Sequence, residues 1–257
     1  MSTRNKGMTA AGLATGTLLL ATSFVLVCAY MRRASKKKNK PRTAQSVQPS
    51  AKRGIATPAP HARVVFVLGG PGSGKGTQCA LIAADEVLGY AHLSAGDLLR
   101  AERNSGSALA EMINEYIREG KIVPAEVTVR LLRTAMEKSG KSRFLIDGFP
   151  RNPENLAVWE ASAADGSSVV DFALFLDCPE EIMTQRIVER GRSSGRIDDN
   201  EEAIRKRLVT YRESTMPIIK EFASRGKLKE VNSDQTIEEV AKDVRKHIDS
   251  VAWPRRQ

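Results

Sequence analysis

"GGPGSGKGTQ", Gly69–Gln78, is the stretch that decides the fold. It follows "RVVFVL", Arg63–Leu68, a short apolar, β-branched run that predicts a buried strand. It leads straight into "KGTQCALIAADEVL", where Ala80, Leu81, Ala84, Val87 and Leu88 recur at helical spacing and predict one buried face. Strand, glycine loop and helix carry the pattern G-x-x-x-x-G-K from Gly69 through Gly74 to Lys75. Glycines let backbone N–H groups turn inward around an anion, and a helix N-terminus adds its dipole. Lys75 is placed to reach the β and γ phosphates of a nucleoside triphosphate. The hydroxyl that usually follows the lysine is moved one place by Gly76 and stands at Thr77. The loop accounts for a phosphate donor only, since GTPases, motor ATPases and small-molecule kinases all carry versions of it.

The chain has 257 residues and a formal charge of +10, but the charge is unevenly placed. Eleven of the 40 lysines and arginines, and none of the 30 acidic residues, lie in residues 1–62. The remainder holds 29 basic against 30 acidic side chains, which takes away the main support for a nucleic-acid partner. Cys28, Cys79 and Cys178 show no paired spacing, so neither a disulfide framework nor a zinc site is expected. Residues 7–31, "GMTAAGLATGTLLLATSFVLVCAYM", carry no charge and are long enough for a membrane-spanning helix, which takes about 20 residues. Seven basic residues follow between Arg32 and Arg42, against Arg4 and Lys6 upstream. Residues 1–31 are therefore expected to be a signal-anchor, with the C-terminal side in the cytosol. Alternatives are a mitochondrial or other organelle membrane, or a soluble cytoplasmic protein left after cleavage near Val27-Cys28-Ala29. Residues 32–62 read as a basic, Pro/Ala-rich tether, and residues 63–257 as the catalytic domain.

Beyond the glycine loop, "YAHLS", "FLIDGF", "FALFLDC" and "KLKEV" are further strand candidates separated by helical patterns. That alternation predicts an α/β fold, a parallel sheet with helices on both faces. In "SAGDLLR", Ser94 and Asp97 fit a capping box, so a helix starts there and carries Arg100 on its first turns. In "FLIDGFPRNPENL", Asp147 ends an apolar strand and is a carboxylate of the kind that holds Mg²⁺ through water. Gly148 and Pro150 set a turn, Asn152 and Pro153 start a helix, Arg151 projects from the turn, and Asn155 sits one turn into the helix. In "RIVERGRSSGRIDDNEEAIRKR", Arg186, Arg190, Arg196 and Arg207 surround a short glycine-bearing loop. Guanidinium groups are the preferred bidentate partners of phosphate oxygens. Glu201, Glu202, Arg205 and Lys206 read instead as i,i+4 pairs on an exposed helix.

These residues together resemble the nucleoside monophosphate kinase family, from about Arg63 to Val251. "GGPGSGKGTQ", "LSAGDLLR", "EGKIVP", "LIDGFPRN" and "ERGRSSGRIDDN" occur in the family's order and spacing. The resemblance implies a P-loop three-layer fold with a five-stranded parallel sheet. It also implies a helical monophosphate-binding insertion at about 94–126 and a short lid at about 190–199. It implies ATP on Gly72, Ser73, Gly74, Lys75, Gly76 and Thr77, with Arg190 from the lid and the Gln235 carbonyl at the adenine. The acceptor monophosphate would meet Arg100, the backbone of Lys121, Ile122 and Val123, and the turn Gly148, Phe149, Pro150 and Arg151. Arg196 and Arg207 would bridge the transferring phosphoryl group, and Mg²⁺ would travel with ATP. Adenylate kinases of this type usually carry Thr at the place of Ala95 and Gln at that of Asn155; UMP-CMP kinases usually carry Ala and Asn. The chain has the second pair, and an Asn amide can donate and accept toward a pyrimidine edge. CMP or UMP, or dCMP, is therefore the expected acceptor and a monomeric kinase domain the expected unit. An AMP acceptor and a catalytically silent nucleotide-binding module are the alternatives.

Overall fold

A computed structural model describes residues 61–251, which lie in a compact unit running from Thr57 to Gln257. The expected signal-anchor and most of the tether lie outside the described residues. Among the described residues no helix is long and apolar enough to cross a membrane. The strands are β1 (Ala62–Leu68), β2 (Tyr90–Ser94), β3 (Arg143–Asp147), β4 (Ser168–Asp177) and β5 (Leu228–Asn232). They form one parallel, five-stranded sheet in the order β2-β3-β1-β4-β5. The expected α/β three-layer architecture is therefore present.

Central β1 is buried on both faces, as a continuous β-branched run requires. Its side chains alternate. Val64, Phe66 and Leu68 join one core with residues from α4 (Ala125–Ser139), α5 (Pro153–Ser162) and α8 (Met216–Ser224), among them Leu132, Trp159 and Phe222. Val65 and Val67 join the other with Cys79 and Ile82 of α1 (Lys75–Ala84) and Val240, Val244 and Ile248 of α9 (Ile237–Asp249).

Of the residues expected to form the buried face of α1, Leu88 is buried, though beyond the helix, and the others are not. Ala80, Leu81, Ala84 and Val87 are exposed, and the helix ends at Ala84, so Val87 falls in the following turn. The buried residues are Gln78, Cys79 and Ile82. Apolar residues at every position from Cys79 to Ala84 leave spacing unable to phase this helix. The glycine loop fixes its rotation and turns a polar glutamine inward.

Two parts carry small cores of their own. α2 (Ala95–Arg103) and α3 (Ala110–Arg118) form the insertion, where Leu109, Ile113, Val123 and Val127 cluster. α6 (Glu180–Ser194) and α7 (Glu201–Thr210) pack through Met183, Ile187, Ile204 and Leu208. Glu201–Arg205 and Glu202–Lys206 pair along exposed α7 as expected.

Phe66 is fully buried and meets Phe149, Trp159 and Phe222 edge-on, at centroid distances of 5.8, 5.4 and 5.9 Å. Phe66→Ala should therefore destabilise the domain by about 3–5 kcal/mol. Urea unfolding followed by circular dichroism measures this, and a loss under about 1 kcal/mol would show that the site collapses around the cavity.

Candidate functional site

Parallel pairing sets the site's floor. Val67 of β1 lies opposite Asp147 of β3, and Asp147 lies opposite Ser94 of β2. The glycine loop, the Asp147 turn and the start of α2 therefore emerge side by side, at the strand ends where ligands bind in open α/β sheets. A cavity of about 550 Å³ opens there, within the range of ligand sites. Its lining includes Gly72, Gly74, Lys75, Gly76 and Thr77, together with Arg100, Asp147, Arg151, Arg190, Arg196, Arg207 and Gln235. Ser73, expected at the ATP, is fully buried beneath the loop, and its carbonyl accepts from Ser233 Oγ at 2.6 Å.

Lys75 Nζ donates to the carbonyls of Gly69 at 2.9 Å and Gly70 at 2.7 Å, folding the loop around the ammonium. Burial pulls its pKa down to about 8, only partly countered by the nearby Asp147. Asp147 is buried at the end of β3, with His92 Nε2 3.6 Å from its Oδ2. Among the described residues no group of three or more His, Cys, Asp or Glu is placed to hold a metal. One carboxylate at the mouth of a phosphate loop suits Mg²⁺, which keeps most of its waters and takes remaining ligands from substrate phosphates.

The acceptor turn is tightly held. Asn152 caps α5 by accepting from the Asn155 N–H at 2.8 Å, with Pro153 at the first helical position. Arg151 Nε donates to the Gly148 carbonyl at 2.8 Å, and its backbone N–H donates to Asn155 Oδ1 at 3.1 Å. This last bond occupies one of the two lone pairs of the Asn155 oxygen, and Nδ2 is left without a partner. Ala95, Lys121, Ile122, Val123, Phe149 and Asn155 line a second cavity of about 60 Å³, and Gly148 and Arg151 lie where the two cavities adjoin. Pro150 lines the larger one, and the Phe149–Pro150 bond is cis. The Lys121 side chain pairs with Glu119 at the surface.

The arginines are gathered, with one change of setting. The segment expected to be a short lid, about 190–199, is helical in its first half, because α6 continues through Arg190 to Ser194. Gly191 does not break the helix. A Cβ there would stand 2.7 Å from the Asp199 carbonyl, so this glycine admits the returning chain. Arg190 makes a two-pronged contact with Asp199, at 2.8 and 2.6 Å. Arg207 pairs with Asp198 at 2.9 Å and Asp199 at 3.2 Å. Asp97 Oδ1 accepts from Arg100 at 2.5 Å and from Arg196 at 3.3 Å. Ser94 Oγ caps α2 by accepting from the Asp97 N–H, but the Asp97 carboxylate serves these arginines and does not close a box. Burial lowers the pKa of Arg151, Arg196 and Arg207, and neighbouring arginines lower each further. The cleft is a crowd of cations that an incoming phosphate would relieve.

Gln78 escaped sequence reading. It donates to the Ile237 carbonyl at 3.1 Å, and Arg186 donates to the Ser233 carbonyl at 3.0 Å. These bonds tie α1 and α6 to the segment around Gln235. A polar residue on a helix is one that spacing assigns to solvent.

Residues 67–227 match the family described as adenylate kinase. The chain is 53% identical over 192 residues to the UMP-CMP kinase of Rattus norvegicus, a match covering 72% of this chain and 96% of that protein. It is 51% identical over 189 residues to the UMP-CMP kinase of Danio rerio, covering 71% and 95%. It is 53% identical over 182 residues to UMP-CMP kinase 3 of Arabidopsis thaliana, covering 71% and 87%. The chain belongs to the adenylate kinase family. Its activity is that of a nucleoside monophosphate kinase, and the glycine loop and cationic cleft are what that family's chemistry needs: positioning and charge neutralisation rather than a strong base.

Lys75 gives this site a pH signature. Its ammonium is disfavoured in the empty cleft, so above about pH 8 the free protein loses that proton while the unfolded chain, at 10.5, keeps it. Stability of the empty protein should rise between those two values. Triphosphate oxygens favour the charged form, so ATP binding should take up close to one proton near pH 9 and almost none at pH 7. Calorimetric titration in buffers of different ionisation enthalpy measures this uptake; a value that does not change with pH would refute it.

Proposed function

We infer that this chain transfers the γ-phosphate of ATP to CMP or UMP, giving ADP and CDP or UDP. The observation that carries the pyrimidine acceptor is the pair Ala95 and Asn155, both lining the smaller cavity, with the Asn155 oxygen held by Arg151 and its Nδ2 left to donate. Cytosine N3 and uracil O4 are both acceptors that such a donor can engage. Adenine N1 is an acceptor too, so discrimination rests on where the donor stands, one methylene closer to α5 than a Gln amide would be. Relatives about half identical over nearly their whole length carry the name UMP-CMP kinase, which supports the same reading.

In this reading Gly72 to Thr77 hold the ATP phosphates, the Gln235 carbonyl meets adenine, and Arg190 engages ATP from the lid. Arg100, Arg151 and the backbone of Lys121 to Val123 hold the acceptor. Arg196 and Arg207 neutralise the transferring group as it passes between oxygens in line. Mg²⁺, held by Asp147 through water, would supply further charge neutralisation on the β and γ oxygens. A cavity of about 60 Å³ is well below the 300–1,000 Å³ usual for ligands, so the insertion around 94–126 must open to admit a nucleoside. Closing again over the lid excludes water and limits wasteful hydrolysis.

Initial rates with CMP, UMP, dCMP and AMP test the assignment. The double change Ala95→Thr with Asn155→Gln should shift the CMP-to-AMP ratio of kcat/KM toward AMP by about tenfold to a hundredfold. A wild type that already prefers AMP overturns the pyrimidine reading.

The uncharged run at residues 7–31 and its basic flank support a second proposal, that the leader anchors the kinase to a membrane. Full-length protein should then stay with membranes through an alkaline carbonate wash, whereas protein beginning near Pro58 should be released with turnover intact. Release of the full chain by the wash would dismiss the spanning helix.

A further inference from the structure

We propose that Thr215 is a positioning residue for the acceptor phosphate, acting through Arg151, and that a single π-helical turn is what brings it there. The proposal rests on the reading of Arg151 as the residue that holds this phosphate.

α7 does not pass straight into α8. Between them Tyr211–Thr215 form a π turn, closed by the Met216 N–H donating to the Tyr211 carbonyl. In an α-helix, at 100° per residue, positions five apart point about 140° away from one another. In a π turn the bond runs from i to i+5, and positions five apart fall on one face, as positions four apart do in an α-helix. Thr210 and Thr215 are five apart, and both line the large cavity together with Tyr211. An unbroken α-helix that aimed Thr210 at the cleft would carry Thr215 away from it.

Each of the three reaches a different part of the site. The Thr210 hydroxyl donates to the Gly120 carbonyl of the acceptor-binding insertion at 2.9 Å. The Tyr211 ring lies against the glycine loop, 3.3 Å from where a Cβ on Gly70 would be. Thr215 is 6% exposed, and its hydroxyl donates to the Arg151 carbonyl at 3.1 Å.

That last bond completes the fixing of Arg151. Its Nε is held by the Gly148 carbonyl and its N–H by Asn155. Both of those partners belong to the same local segment as Arg151. Thr215 is 64 residues away in sequence and ties the turn to the helix that continues from Arg207. The guanidinium of Arg151 and that of Arg207 are thereby referenced to one another. Phosphoryl transfer depends on such alignment, and a buried hydroxyl one residue removed from the substrate supplies it without touching substrate.

Thr215→Val removes the hydroxyl and keeps the shape, while Thr215→Ser restores the donor. For full-length enzyme, Thr215→Val should raise the KM for CMP by about five- to tenfold, the scale of one lost hydrogen bond. The KM for ATP should stay within about twofold, and Thr215→Ser should return the CMP value close to wild type. If Thr215→Val does not fold, Thr215→Ala carries the same measurement. Arg151→Ala, measured beside them, separates the two claims. A raised KM for CMP in Arg151→Ala with none in Thr215→Val overturns the role of Thr215 alone. An unchanged KM in Arg151→Ala removes the reading beneath it. Equal rises for CMP and ATP, or a serine variant as impaired as the valine one, mean general loosening and also overturn the proposal.

Discussion

The parallel pairing of β1 with β3 is the constraint from which the site follows. It sets Val67 level with Asp147, and the Gly148 N–H donates to the Val67 carbonyl at 3.1 Å just beyond the last ladder pair. One strand delivers a loop that wraps an ammonium, and its neighbour delivers a carboxylate and a rigid turn with a guanidinium. Because both strands end at the same height, the glycine loop and the Asp147 turn face one another without any long-range adjustment. The buried Phe66, with Phe149 and Trp159 against it, locks the same two segments from below.

Above that floor the cleft is governed by charge. Arginines from α2, the turn after β3, α6, the loop after α6 and α7 converge, and burial, with repulsion from neighbouring arginines, lowers the pKa of Arg151, Arg196 and Arg207. The protein meets the imbalance with its own carboxylates. Asp97 holds Arg100 and Arg196, and Asp198 and Asp199 hold Arg190 and Arg207. Single carboxylate oxygens shared between two guanidinium groups are weaker partners than a phosphate with three acceptor oxygens. Asp97 joins α2 to the loop after α6 through Arg100 and Arg196.

The insertion and the paired helices α6 and α7 each bury a small apolar cluster of their own, separate from the two cores that flank the sheet. Such a division allows a segment to shift as a unit while the sheet stays fixed. The π turn after α7 sits where the second of these units returns to the main core, with hydroxyls from its two ends bonded to the insertion and to the acceptor turn.

Much of this was legible in the sequence because it is written in local rules. Strand, glycine loop and helix in immediate succession left little choice for Gly69–Lys75. Asn152 with Pro153 announced the start of α5, and the clustered arginines announced a phosphate site. Spacing could not give the rotation of α1, because a helix apolar at every position from Cys79 to Ala84 takes its phase from the loop that feeds it. Gly191, inside α6, is a place of close approach to Asp199, which only the returning chain reveals. The free half of the Asn155 amide was decided by a backbone N–H that points at it. The π turn has no signature in composition at all. In each case the deciding partner is set by three-dimensional packing rather than by local spacing: the sequence by itself determined which groups the site would contain, and the tertiary structure decided which way each of them faces.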